Sequence, residues 1–479
     1  MLAVRFVCIQ VFIPYEVGVP GLKRVLILLF SLLPAALVLV SCGYNASGTG
    51  TTGSGLKYRV FISNQVSAGT GTAGVYILNA QIDEKPNIGA ISAGNAPGMM
   101  VLTPTKGQTL VFSSLGTQFS DNQLTFINNA SESASGHLTL PGFTESIIVS
   151  PDSSTAYAAV PTAAVIGQSP GAVKVMGLSS ASFAGEVDIP AIHYLSINNG
   201  GSRILGFTDV LSTLGAPCVQ TPSYLFVITP TLVGNQPCPA VPLPGINFPF
   251  DHPVAAFFSG DDTTAYVINC GPECGGVQSS VQKLEMTPSQ CLPDGACQPV
   301  PVTAASEALM VGSTMYLAGS YANAVLPQQP CPGQTAFTPT CGSLTIFDLG
   351  SMTATTSGIA ITDGFHNRIG FGPNGQLFVG ARTCTQNPGV SGCLSIYNTL
   401  STAVGPVAPG GVLIPPAPGD VTGIEPIGKR SVVYVVQGGS LWIYDTLTDG
   451  LQTIQNNPNN PGQVFALVGD FADVKLVDF

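Results

Sequence analysis

The sequence predicts an all-β protein in which four-stranded antiparallel sheets repeat around a closed ring. Three observations carry that prediction. The chain of 479 residues holds 56 Gly and 39 Pro, a share suited to many short strands joined by tight turns rather than to long helices. Hydrophobic residues make up 45% of it and recur in short runs along its length, whereas a disordered chain rich in Gly and Pro is poor in them. One unit also recurs: an apolar strand, a turn built on Gly, Asp, Asn or Pro, and a second strand with an aromatic or aliphatic centre.

The units follow in order. They are "VLTPTKGQTLVFSS" at 101–114, "IVSPDSSTAYAAV" at 148–160, "LSINNGGSRILGF" at 195–207 and "AFFSGDDTTAYVINC" at 256–270. "LMVGSTMYLAGS" at 309–320, "IGFGPNGQLFVGA" at 369–381 and "IEPIGKRSVVYVVQ" at 424–437 continue the series. Their turn markers, Gly107, Asp152, Gly200, Gly260, Gly312, Gly375 and Gly428, stand 45 to 63 residues apart, and a weaker unit centres on Gly469. A third strand such as "SYLFVITP" or "SLWIYDTL" comes after each pair, then a weaker fourth such as "EVDIPA". Four strands in about 50 residues is the arithmetic of a β-propeller blade. A blade cannot bury both faces alone, so the blades stack around an axis and residues 57–479 form one domain.

The series starts out of phase. "KYRVFISN" at 57–64 and "AGVYILNA" at 73–80 read as second and third strands, and "QVFALVG" at 463–469 reads as the missing first one. The two chain ends therefore share a closing blade. Seven complete units and one shared unit predict eight blades, with seven as the alternative. "SPDSSTAYAAV" and "SGDDTTAYVINC" resemble the YVTN-type repeat of bacterial surface and periplasmic propellers, to which the lactonase family is related. The resemblance runs loosely over 57–479, and it implies turn and strand chemistry rather than a reaction.

Ahead of the ring, Lys23-Arg24 precedes "VLILLFSLLPAALVLV" at 25–40, sixteen uncharged residues interrupted by Pro34. That is short for a membrane-spanning helix and fits the core of a signal peptide over 1–41. Leu39-Val40-Ser41-Cys42 resembles the bacterial lipobox, which implies lipidation of Cys42 and cleavage before it. The Gly/Ser/Thr tract 42–56 then reads as a flexible tether. Several acyl chains anchor a protein stably, so the expected location is the bacterial cell envelope, on a membrane and facing the periplasm or the exterior. Residues 1–22 are long for the region before such a core and read as a start site placed upstream.

Charged residues make up only 9% of the chain, with a net charge of −11, where about 25% is usual. The residues after 41 carry 12 of the 15 Lys and Arg against 25 of the 26 Asp and Glu. No basic cluster is available for a phosphate backbone, which argues against nucleic acid. "GTGTTG" at 48–53 and "GTGTAG" at 69–74 match a dinucleotide fingerprint, but neither stands between a strand and a helix, so no nucleotide is expected.

Besides Cys8 and Cys42 there are ten cysteines, an even number in an exported chain. Close spacing pairs Cys218 with Cys238, Cys270 with Cys274, Cys291 with Cys297, Cys331 with Cys341 and Cys384 with Cys393, bracing loops between strands. Cys218 and Cys238 are the hardest pair to join, because a predicted strand separates them. No cysteine-histidine quartet at zinc spacing occurs, and no H-E-x-x-H or acidic calcium loop. The single Trp442 counts against the quinone-cofactor propellers, whose blades carry recurring tryptophans.

The remaining candidate site is positional. Residues leading into the first strands ring one mouth of the central channel, and those places hold Glu145, His193, Asp251, His252, Glu307, His366 and Asp420. Single turn residues of these types are commonly structural, but a carboxylate and imidazole ring can bind a divalent metal ion or polarise a small substrate. His193, Asp251 and His252 are the best metal candidates. No cofactor is otherwise implied. The favoured function is a lipid-anchored, non-catalytic module that binds a protein or glycan, and the alternative is a lactonase-type hydrolase acting at the channel mouth.

Overall fold

The computed structural model describes residues 53–65, 72–115, 119–245, 247–286, 295–323, 330–331, 338–385, 392–403, 407–452 and 466–478. The expected signal peptide, Cys42 and Cys291 lie outside them. The described residues belong to one compact unit that runs from 52 to 479.

They form eight antiparallel sheets. Blades 1 to 7 run in chain order over 97–139, 146–188, 192–242, 253–301, 307–361, 365–413 and 421–451. The closing blade joins Arg59–Asn64 and Gly74–Asn79 to Phe471–Leu476. The first strand of each blade touches the first strands of both neighbours, so the inner strands make an unbroken ring around the channel. This is the expected eight-bladed propeller.

Burial explains the strand sequences. Second strands pack on both faces, so they read as unbroken apolar runs: all six residues of Val432–Gln437 are buried, and Thr155–Val160 is nearly so. Fourth strands lie on the rim, and most of Thr353–Ile361 is exposed. Side chains interdigitate between neighbouring sheets. Leu110, Phe112 and Phe126 of blade 1 meet Ile147, Ala158 and Met176 of blade 2. Tyr434, Val436 and Ile443 of blade 7 meet Val60, Ile62 and Val474 of the closing blade.

The shared closing blade is present, but its inner strand is not the segment expected. Residues 466–468 pair with Ser440–Trp442 on the outer side of blade 7. The chain crosses the mouth at Gly469-Asp470, and Phe471–Leu476 runs beside Arg59–Asn64. The reason lies in what an inner strand must satisfy. Phe471, Val474 and Leu476 fill the gap toward blade 7, while Asp473 Oδ2 accepts the Met100 N–H of blade 1 at 2.8 Å.

Four disulfides, Cys218–Cys238, Cys270–Cys274, Cys331–Cys341 and Cys384–Cys393, close as expected, with Cα separations of 5.4 to 5.7 Å. The strand Ser223–Ile228 does separate Cys218 from Cys238. The 213–222 connection leads back along the blade, with Leu214 packed beside Val187 of blade 2 and Ile189 just after it. The Gly215 N–H donates to Gln168 Oε1 at 2.8 Å, and Cys218 arrives beside Pro237, ahead of the outer strand.

The chain joins the ring on the face away from the mouth. Ser54 donates from its N–H and Oγ to Glu132, in the turn between the third and fourth strands of blade 1, at 2.5 and 2.6 Å. Arg59 then pairs with Glu132 and Asp478.

Candidate functional site

Most inner strands are irregular at the mouth end, those of blades 2 and 5 excepted. Pairing with the second strand slips between Pro97 and Met100, Ile192 and Tyr194, Pro253 and Ala255, His366 and Arg368, and Val421 and Gly423. Each slip leaves unpaired residues at the channel rim: Gly98 and Met99, His193, Val254, Asn367 and Thr422. Such bulges kink the strand and re-aim its side chains. Here they open a cavity of about 580 Å³ at the mouth.

The cavity is mixed in character. Phe143 and Phe365 stand at its edge, 39% and 38% exposed. Glu145, Glu307, Asp420, Arg368, Arg382 and Tyr194 supply the polar wall. Of the seven residues expected at the mouth, Glu145, Glu307, His366 and Asp420 line this one cavity. His193 stands behind Glu145, with Nε2 3.5 Å from its Oε2 and Nδ1 3.0 Å from Asp209 Oδ1. Burial opposes charge on that imidazole, but the two carboxylates outweigh it and raise its pKa.

Asp251 and His252 turn to the Cys270–Cys274 loop instead. Asp251 Oδ2 accepts the N–H groups of Val277 and Gln278 at 2.8 and 2.7 Å, and His252 Nδ1 lies 3.0 Å from Oδ1. A Cβ at Gly276 would fall 1.8 Å from Asp251, so only glycine lets the loop wrap the carboxylate. Burial opposes the Asp251 charge, yet those donors hold its pKa below the ordinary value. The same loop sends Glu273 to the Ser320 N–H at 2.9 Å, with burial pushing that carboxyl up to about 7. Among the described residues, no three His, Cys, Asp or Glu side chains are grouped to hold a metal ion.

His366 is fully buried. Its Nε2 donates to the Thr362 carbonyl at 2.9 Å, leaving Nδ1 as an acceptor with no partner. Burial pushes its pKa down to about 4, so the ring is neutral. Glu307 is half-buried in the wall, and loss of solvent pushes its carboxyl up to about 7 against the opposing pull of Arg368. Burial likewise raises the Tyr194 hydroxyl, helped by Glu145, Asp209 and Glu307. Asp420 accepts the Thr383 N–H at 2.8 Å, tying the Cys384–Cys393 loop to the rim.

Sequence reasoning missed Arg368, Arg382, Asn367 and the two rim phenylalanines. Arg368 follows the bulge, and its Nε and Nη1 donate to the carbonyls of Thr422 and Asn367, each at 2.6 Å. Arg382 ends the second strand, opposite Phe365. The Asn367 carboxamide, its oxygen turned toward Arg382, accepts from Nε and Nη2 at 2.6 and 3.0 Å.

Fold and cavity together define a propeller with a ligand-sized chamber at one mouth. Neither a family pattern nor a characterised sequence relative matches the chain. Solved structures do. Hydrazine synthase of Kuenenia stuttgartiensis aligns with 76% of this chain over its own full length, at 11% identity and a TM-score of 0.51. Dihydro-heme d1 dehydrogenase NirN aligns with 91% of this chain over 79% of its own, also at 11% identity and 0.51. A periplasmic gluconolactonase of Pseudomonas aeruginosa covers 87% of this chain over 98% of its own, at 14% identity and 0.42. The likeness is one of fold alone.

Proposed function

We propose that this chain is a lipid-anchored, extracytoplasmic propeller that binds a glycan at its mouth cavity. The observation that carries the reading is the pairing of two exposed rings, Phe143 and Phe365, with a wall of carboxylates and guanidinium groups. A sugar presents the complementary surface. Its C–H faces pack on the electron-rich faces of aromatic rings, and its hydroxyls donate to carboxylates and accept from arginines. A few placed polar groups among apolar ones is the usual make-up of a small-molecule site. Four disulfides suit an oxidising compartment, and the lipobox-like run ending at Cys42 supplies the anchor. Titration of the purified protein against a panel of bacterial-surface oligosaccharides tests the reading. Binding that is lost in a Phe143→Ala, Phe365→Ala double variant supports it. Retention of a protein partner with no response to any sugar refutes it.

Glu307 favours a second reading, a hydrolase of lactonase type. A carboxyl with a pKa of about 7 is poised to exchange a proton near neutrality. Turnover of lactones by the parent that is lost in Glu307→Gln supports that reading, and an inactive parent removes it.

A further inference from the structure

Building on the glycan reading, we infer that the sugar bears a carboxylate, bound by the guanidinium groups of Arg368 and Arg382. Both arginines line the cavity, and both are held by neutral oxygens. Arg368 uses Nε and Nη1 on the Thr422 and Asn367 carbonyls, and Arg382 uses Nε and Nη2 on the Asn367 carboxamide. One bulged residue thus pins two cations side by side. Among the described residues neither has a carboxylate oxygen within the 4.0 Å of an ion pair. Arg59 and Arg430 differ, pairing with Glu132 and Asp478 and with Asp83.

Two neighbouring cations without a contact counter-ion are costly in a partly desolvated wall. Burial is the larger influence against the Arg382 charge and the adjacent Arg368 adds to it, while Glu145 and Asp420 act against both from a distance. A ligand carboxylate reaching the remaining N–H groups supplies the missing charge through strong, directional hydrogen bonds. The rest of the wall selects the kind of anion. Glu145 and Asp420 are acceptors and call for donors from the ligand, which the several hydroxyls of a sugar provide in greater number than the one or two P–OH groups of phosphate near neutral pH. The protein as a whole is acidic, but that repulsion is screened within about 8 Å at physiological salt, so local contacts decide.

The experiment compares a glucuronate-containing disaccharide with its neutral glucose counterpart by calorimetric titration of the full chain, with inorganic phosphate as the anion control. The acidic sugar is expected to bind at least about tenfold more tightly, with phosphate far weaker. R382Q and R368Q should each erase that advantage, so that each variant binds the acidic sugar no more tightly than the neutral one, with the melting temperature near the parent's. Equal affinity of the two sugars overturns the inference and leaves the glycan reading standing, as does an advantage that survives both substitutions. A phosphate affinity matching the acidic sugar's overturns it as well. Melting in sodium glucuronate against sodium chloride at equal ionic strength separates the two readings. If neither disaccharide binds, the glycan reading fails, and the arginine site stands only if glucuronate raises the melting temperature of the parent and not of R382Q.

Discussion

Removing residues 471–479 should unfold the whole ring, not only the closing blade. The segment buries Phe471, Val474, Leu476 and Val477 at 5, 0, 5 and 2% exposure. At roughly 1.5–3 kcal/mol for each large apolar side chain withdrawn from water, the four contribute roughly 6–12 kcal/mol, an upper figure because unfolded chains already bury some surface. The deletion also strips the Met100 N–H of its Asp473 acceptor and uncovers Val60 and Ile62. A loss of that size matches the whole net stability of a typical domain, about 5–15 kcal/mol. Val474→Ala is the graded version, costing roughly 2–3 kcal/mol with a cavity left behind. Urea titration followed by Trp442 fluorescence and by circular dichroism reads the global transition, and amide exchange in blade 4, across the ring, reads its reach. A truncated protein that keeps parental protection in blade 4 would show that the blades are stable without closure, and the reasoning would fail.

Three further outcomes are expected. Burial holds His366 at about 4 in the folded state against an ordinary 6.5, so the unfolded chain binds the proton first. Stability should then fall as pH drops from about 6.5 to about 4, by about 3 kcal/mol in full, and a His366→Leu variant with the parent's pH slope in urea titrations would remove the claim. Cys341→Ser should cost about 2–3 kcal/mol by freeing a short loop in the unfolded state, and an unchanged urea midpoint would count against a formed Cys331–Cys341 bond. Glu307, facing Arg368 and Tyr194, is raised to about 7, so it is a neutral donor below that pH and a charge above it. Affinity for an acidic sugar should weaken as pH rises through 7, and Glu307→Gln should flatten the profile, which also separates this carboxyl from the nearby His193.

The repeat was legible because each unit needs the same turn chemistry and the same doubly buried second strand, as in "TAYAAV" and "VVYVVQ". Blade number and the shared closing blade followed from that phase. Assigning 463–469 to the inner strand failed because "QVFALVG" and "FADVKL" have similar apolar content, and only their neighbours distinguish them: Asp473 is an inner-strand residue because Met100 offers it an N–H. Mouth positions were legible for Glu145, Glu307, His366 and Asp420, which precede or begin strands. Asp251 has the same placement, yet a glycine-rich loop claims its oxygens. The cavity's arginines carried no signal. Arg368 faces the chamber because pairing slips at Asn367, and a slip of register leaves no trace in residue type. Arg382 sits at the end of a strand otherwise buried, where a cation reads as an ordinary strand boundary.

The attachment of the chain through Ser54 and Arg59 has a mechanical consequence. A load on the N-terminal side pulls Arg59–Asn64 lengthwise, between Gly74–Asn79 on one flank and Phe471–Leu476 on the other. The cross-strand hydrogen bonds on both flanks then bear the force together in shear, instead of parting one after another as in a peeled edge. Before the strand itself is loaded, the Ser54–Glu132 and Arg59–Asp478 contacts must give way. Drag on a protein held by its N-terminal end is thus taken up at the seam where the ring is closed, and the force is applied at the rim opposite the cavity.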